Sequence, residues 1–307
     1  MSLETDLLVD RRRLKRRLSL WRGVAVLAVL AAGLTGLGSF GQIERAHVAR
    51  VTIAGLITEN RDLDRKIRAL SKDDKVRAVL VDIDSPGGSV AGGESLYDAI
   101  AAVAAKKPVV AVMGALGASA GYMAALPCAR IFARGTTLTG SIGVLLQSGE
   151  ISGLLSRLGI SATTLVSGPL KNQPSLTQPL SPEGRQVLQG IVMDMYDQFV
   201  GMVAAGRHMD QARVRELADG RAYTGRQALR LGLVDAIGGE REARDWLATR
   251  GVPRSLPVES VETESLAARA IGASLGPLLE SLSKTIAFQW VRLDGAWAIW
   301  QPAESGE

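Results

Sequence analysis

Apolar positions in this chain come in two rhythms. Short runs rich in β-branched residues at 48–57, 76–83 and 108–113 carry few polar interruptions and predict strands buried on both faces. Residues 63–70 and 95–105 have helical spacing between those runs, and the second stretch stops at Lys106-Lys107. A short helix over 119–126 should end at Pro127, which cannot continue it. Further strands are predicted near Ile131, at 142–146 and at 163–166, with a helix at 151–158. Ser181 offers an N-cap with Pro182 in the first helical position, opening a long helix to about Ala205. Asp210 caps another helix, Thr224 with Gln227 forms a capping box for a third, and 240–249 closes the regular part. Strands alternating with helices predict an α/β fold, a largely parallel sheet with helices on its faces. No internal repeat is visible, so any catalytic region occurs once.

The N-terminal block has a different pattern. Residues 23–43 hold no charge, enough for a helix of roughly 30 Å, one hydrocarbon thickness. Arg11, Arg12, Arg13, Lys15, Arg16, Arg17 and Arg22 precede it, which predicts a cytoplasmic N-terminus and places everything after Glu44 beyond the membrane. A cleaved leader is the competing reading, with Gly36 and Gly38 as small residues, but a clean A-x-A boundary is missing. A buried core helix fits poorly behind so many basic residues. The expected organisation is a basic tail at 1–22, an anchor at 23–43, a folded domain at 44–250 and a C-terminal tail at 251–307.

Charge and cysteine narrow the function. The net charge of +5 lies mostly in the basic tail, so the sequence pI near 9.5 makes no case for nucleic acid. Cys128 is the single cysteine, which excludes an intrachain disulfide and a Cys-rich metal site; in Leu-Pro-Cys-Ala it reads as a small buried hydrophobe. Trp290, Trp297 and Trp300 fall in the C-terminal tail, which could lie on a membrane, pack on a neighbouring subunit or dock on its own domain.

Candidate chemistry starts at Ser119, in Gly117-Ala118-Ser119-Ala120-Gly121. The stretch comes after a predicted strand and opens a helix, whose free N–H groups favour developing negative charge. It fits the G-x-S-x-G pattern, although close helix–sheet packing would use the same small residues. An activated serine needs a base. His47 lies just outside the expected anchor, before the predicted core begins, and His208 sits at a helix-to-helix junction as the histidine of a Ser–His reading. Lys171 is the only lysine between Lys107 and Lys284 in a chain that otherwise prefers arginine. A desolvated lysine can lose its proton near neutrality, which arginine does not, so Ser119 with Lys171 makes the better pair. Asp84-Ser85-Pro86-Gly87-Gly88 offers backbone N–H groups for an oxyanion, or else a tight turn. Asp82 and Asp84 alternate at a strand end without a third ligand and read as structural, so neither metal nor cofactor is expected.

These stretches together resemble the signal peptide peptidase A family of membrane-anchored serine–lysine proteases. The matching segments are Asp-Ser-Pro-Gly-Gly at 84–88, Gly-Ala-Ser-Ala-Gly-Tyr at 117–122, Leu-Thr-Gly-Ser-Ile-Gly-Val at 138–144 and Ser-Gly-Pro-Leu-Lys at 167–171. Asp-Gly-Arg-Ala-Tyr-Thr-Gly-Arg-Gln-Ala at 219–228 and Leu-Gly-Leu-Val-Asp at 231–235 extend the resemblance. It implies a crotonase/ClpP-like β-superhelix with flanking helices, preceded by one transmembrane helix. Ser119 would then be the nucleophile, Lys171 the general base, Gly88 and Ala120 the oxyanion donors, and Ser141 the residue that orients the lysine. Expected substrates are remnant signal peptides and other short hydrophobic segments. A single catalytic repeat further implies a homo-oligomer, an octamer by analogy, in which serine and lysine come from adjacent subunits. A Ser–His esterase through His208 and a non-enzymatic membrane scaffold are the rival readings.

Overall fold

The computed structural model describes residues 45–261 and a strand at 297–299. The basic tail, the expected anchor and most of the C-terminal tail lie outside the described residues. Among those described, no helix is long and apolar enough to cross a membrane. The compact unit that begins at Ala46 holds the whole sheet.

Three long strands form the spine: β1 (His47–Ile57), β2 (Val76–Ser89) and β3 (Val109–Ala118), all parallel neighbours. Their alternation explains why they are apolar throughout. Val79, Val81 and Ile83 face one core while Ala78 and Leu80 face the other, and on β3 Val109, Ala111 and Met113 oppose Val110 and Val112. Helices α1 (Arg61–Leu70), α2 (Val90–Ala104) and α3 (Ala120–Ala125) contribute to the first core. The long α5 (Pro182–Arg207) adds Phe199, Val200 and Val203 to it, while α8 (Glu240–Thr249) closes the second face with Ala243 and Leu247.

The far edge of β3 divides between two partners. Val110 to Met113 pair with β4 (Arg130–Ala133), whereas Leu116 to Ala118 pair with β5 (Leu138–Gly140), both parallel. β4 continues to β7 (Ala236–Ile237) and β5 to the antiparallel β6 (Ala222–Thr224). β8 (Val258–Ser260) lies parallel outside β1. The remaining helices are α4 (Ser152–Arg157), α6 (Gln211–Leu217) and α7 (Gly225–Leu231).

Capping signals were transparent in the sequence. Ser181, Asp210 and Thr224 each accept a backbone N–H of the helix they open, and Thr224 with Gln227 completes both halves of its capping box. Three expectations need correction. Asp84 to Gly88 form no turn, because β2 stays extended through Ser89 and α2 starts at once, five residues earlier than expected. The strand expected at 142–146 is instead at 138–140, since Thr137 and Thr139 side chains bond Gly114 and Gly117 carbonyls and hold that segment against β3. Residues 163–166 form no strand; Leu165 is 95% exposed and no neighbouring strand offers an edge.

Candidate active site

Ser119 occupies the turn between β3 and α3 with φ 55° and ψ −120°. That region costs a side-chain-bearing residue on the order of 1–3 kcal/mol and persists only where neighbours dictate it. They do so here. Its N–H donates to Gly140 O at 2.8 Å, while its carbonyl accepts from Tyr122 N at 2.8 Å and Met123 N at 3.0 Å. The Oγ is buried and has no hydrogen-bond partner among the described residues, an uncommon state for a hydroxyl with so much local backbone available.

Small residues allow this placement. A Cβ at Gly121 would sit 3.0 Å from Ser85 O, so glycine lets α3 lie against β2. A Cβ at Gly93 would meet Met123 Sδ at 2.7 Å and Ala120 Cβ at 2.9 Å, which brings α2 equally close. Tyr122 fixes the helix from below, donating its buried hydroxyl to Leu233 O at 2.7 Å, and burial pushes that phenol well above its ordinary range. Ala120 is the first residue of α3, so its N–H has no intrahelical acceptor.

The Asp-Ser-Pro-Gly-Gly stretch is clamped alongside. Ser85 donates its Oγ to Gly55 O at 2.6 Å and accepts Gly87 N–H at 3.1 Å; this buried hydroxyl shapes the irregular end of β2. Asp84 accepts Leu116 N–H at 3.0 Å, tying β2 to β3, which is the structural role expected of it. Gly88 has no room for a side chain, because a Cβ there would fall 1.8 Å from Ile57 O. Gly87 holds φ 110°, which favours glycine. Asp82 lies half-buried further back, and burial raises its carboxyl above the usual range, offset in part by Arg50.

Ser141 stands next to the nucleophile candidate. The last β3–β5 pair is Ala118 with Gly140, so Ser119 and Ser141 each lie one residue past it. Ser141 is also buried with φ 48°, and its N–H donates to Arg221 O at 3.0 Å. A cavity of about 420 Å³ opens on its side, lined by Ser141, Val144, Leu145, Val192, Met193 and Tyr196 among others.

The sheet thus gathers Ser119, Ala120, Ser141 and the strand bearing Gly88. Among the described residues, no hydrogen bond joins Lys171 to them. It is exposed on an irregular segment, its N–H donating to Gly168 O at 3.1 Å. Just after Lys171 that segment is tied at two points: Ile151 N–H donates to Leu176 O at 2.8 Å, and Ser181 N–H to Gln173 Oε1 at 3.3 Å. His208 is an exposed, left-handed cap at the end of α5 and makes no hydrogen bond to Ser119. The clamping role of Ser85 was not foreseen from its motif; a serine between Asp84 and Pro86 carries no periodic signal of burial. Cys128 is buried, as expected.

Residues 101–252 match the model of peptidase family S49, and residues 50–139 match the Clp protease model. A candidate protease of Synechocystis is 38% identical over 81% of this chain and 92% of its own length. A candidate signal peptide peptidase SppA of Enterococcus faecium is 40% identical over 59% of this chain and 53% of its own. The chloroplastic serine protease SPPA of Arabidopsis thaliana is 32% identical over 73% of this chain and 32% of its own. The chain therefore spans nearly all of the first relative, about half of the second and a third of the last. On the match along almost the whole Synechocystis protein, the chain belongs to peptidase family S49, a serine-type peptidase family of ClpP-like fold.

Proposed function

We propose that the protein is a membrane-anchored endopeptidase that hydrolyses remnant signal peptides and other short hydrophobic segments through Ser119 and Lys171. The observation that carries this reading is the Ser119 Oγ: buried, without a partner among the described residues, and held in a conformation that costs free energy. A structural serine at a helix start would bond the backbone; one kept free serves attack on a carbonyl carbon.

In this reading the Lys171 amine takes the Ser119 hydroxyl proton as Oγ bonds to the scissile carbonyl carbon. The resulting oxyanion accepts the Gly88 and Ala120 N–H groups. Collapse breaks the C–N bond, the ammonium returns the proton to the departing amine, and an acyl ester remains. Water then loses a proton to Lys171 and adds to the ester; as the ester C–O bond breaks, the lysine returns that proton to Ser119 Oγ and both groups are restored. Ser141 orients the lysine. Substrate chemistry is set by the 420 Å³ cavity beside it, whose Val192 and Met193 favour apolar side chains.

Lys171 reaches Ser119 of an adjacent subunit in a homo-oligomer, an octamer by analogy. The exposed apolar side chains Ile151, Leu154, Leu158, Ile160 and Leu176, on the segments flanking Lys171, support a subunit contact there. Residues 23–43 anchor the assembly in the bacterial inner membrane with 1–22 in the cytoplasm and the domain at 44–250 on the far side.

Mixing Ser119→Ala and Lys171→Ala proteins before assembly tests the reading. Each alone should be inactive on a short apolar peptide, and the mixture should regain part of wild-type turnover. Turnover retained by either single variant would refute the dyad, and no recovery in mixed assemblies would confine it to one subunit.

A further inference from the structure

Strand β2 has two edges, and at its end only one is taken by the spine. Leu56 and Ile57 of β1 pair with Gly87 and Gly88 along one edge. β3 runs along the other edge as far as the pair Ser85 with Gly117, then leaves it for Ser119 two residues later. A ninth strand, β9 (Trp297–Ile299), pairs antiparallel with the stretch so vacated: Gly87 with Ile299, Gly88 with Ala298 and Ser89 with Trp297. Since β1 already holds Gly87 and Gly88 on its side, β9 runs along the edge that β3 has just left.

An extended peptide recognises a sheet edge through the same ladder of backbone bonds. The edge beside Gly88 and the turn at Ser119 is the one a scissile bond must approach, and the chain's own Trp297-Ala298-Ile299 lies along it with the apolar composition expected of substrates. Belonging to the same molecule, this segment competes at an effective concentration that a free peptide has to match. On the protease reading above, we infer that the C-terminal segment at 297–299 occupies the strand position of a peptide substrate, so that the enzyme carries its own competitor and opens only to substrates that displace it.

Ser89 and Trp297 are register partners, and directly opposed antiparallel positions are ones a disulfide can bridge. The full-length Ser89→Cys, Trp297→Cys protein, with buried Cys128 left in place, should form a disulfide on oxidation. Labelling of Ser119 by a serine-directed peptidyl probe should then fall at least about tenfold and return on reduction, the reduced form serving as the folding control. Separately, Ala298→Pro removes one N–H from the strand and should lower KM for a short apolar peptide roughly fivefold with kcat unchanged. A disulfide that fails to form, or forms without changing the labelling, overturns the inference and leaves the protease reading standing. Absence of Ser119 labelling even in the reduced protein overturns both.

Discussion

Ser119 and Ser141 lie side by side one residue past the paired strand ends Ala118 and Gly140, and both carry positive φ, 55° and 48°. Two neighbouring strands therefore break at the same level with non-glycine residues in a conformation that glycine would adopt more cheaply. Keeping serine there has a cost, and that cost points to chemistry rather than to stability.

A substitution at Ser119 separates the two. Ser119→Gly should abolish peptide cleavage yet melt at a higher temperature than Ser119→Ala, with a stability difference of about 1 kcal/mol from relief of the backbone. Thermal denaturation alongside peptide turnover checks both halves. An alanine variant as stable as the glycine one would show that the turn is unstrained.

Ser85 is expected to act through position. Ser85→Ala leaves Gly55 O and Gly87 N–H without their buried partner, at a cost of about 1–3 kcal/mol. Loosening the end of β2 should lower kcat more than it raises KM, because the role proposed for the Gly88 N–H is on the transition state. Steady-state kinetics with denaturant unfolding distinguish this from simple loss of fold, in which the active fraction falls and KM stays put.

How much of this was legible depends on what each segment responds to. β1, β2 and β3 could be read because both faces are buried, so every position from Val79 to Val81 had to be apolar. The extended course of Asp84 to Ser89 could not, since Pro86, Gly87 and Gly88 locally favour a turn and only the β1 edge with the Ser85 hydroxyl straightens them. Thr137 and Thr139 gave no periodic signal for β5; their hydroxyls register it on carbonyls of a distant strand. Ser119 stood out by its small neighbours and Lys171 by its isolation among arginines. Their pairing across subunits is implied by the family resemblance alone, because no local pattern encodes which copy of the chain supplies a base. Strand β9 was equally hidden, a long-range pairing that the tryptophans around it did not announce.

Asp82 makes a pH-dependent prediction. Burial raises its folded-state carboxyl above the ordinary value, with Arg50 opposing, so the native state binds more protons than the unfolded chain where the two titrations differ. Its carboxylate then detracts from stability at neutral pH, and this loss fades as pH falls below the ordinary aspartate range. Asp82→Asn should melt at a higher temperature than wild type at pH 7, with the gap closing by about pH 3. A gap that widened in acid would mean that the Arg50 attraction dominates.

His208 should be dispensable for chemistry. It is exposed in a left-handed cap, away from any bond to Ser119, so His208→Gly is expected to keep wild-type turnover and gain slightly in stability at that φ of 53°. Loss of cleavage with an intact fold would revive a Ser–His reading.

The most direct measurement is mass-spectrometric mapping of a serine-directed peptidyl probe on the assembled full-length protein and on its Lys171→Ala variant. Covalent modification at Ser119 in wild type, falling by about a hundredfold or more without Lys171, is the expected result. Modification of another serine, or equal labelling of Ser119 in both proteins, would contradict the account.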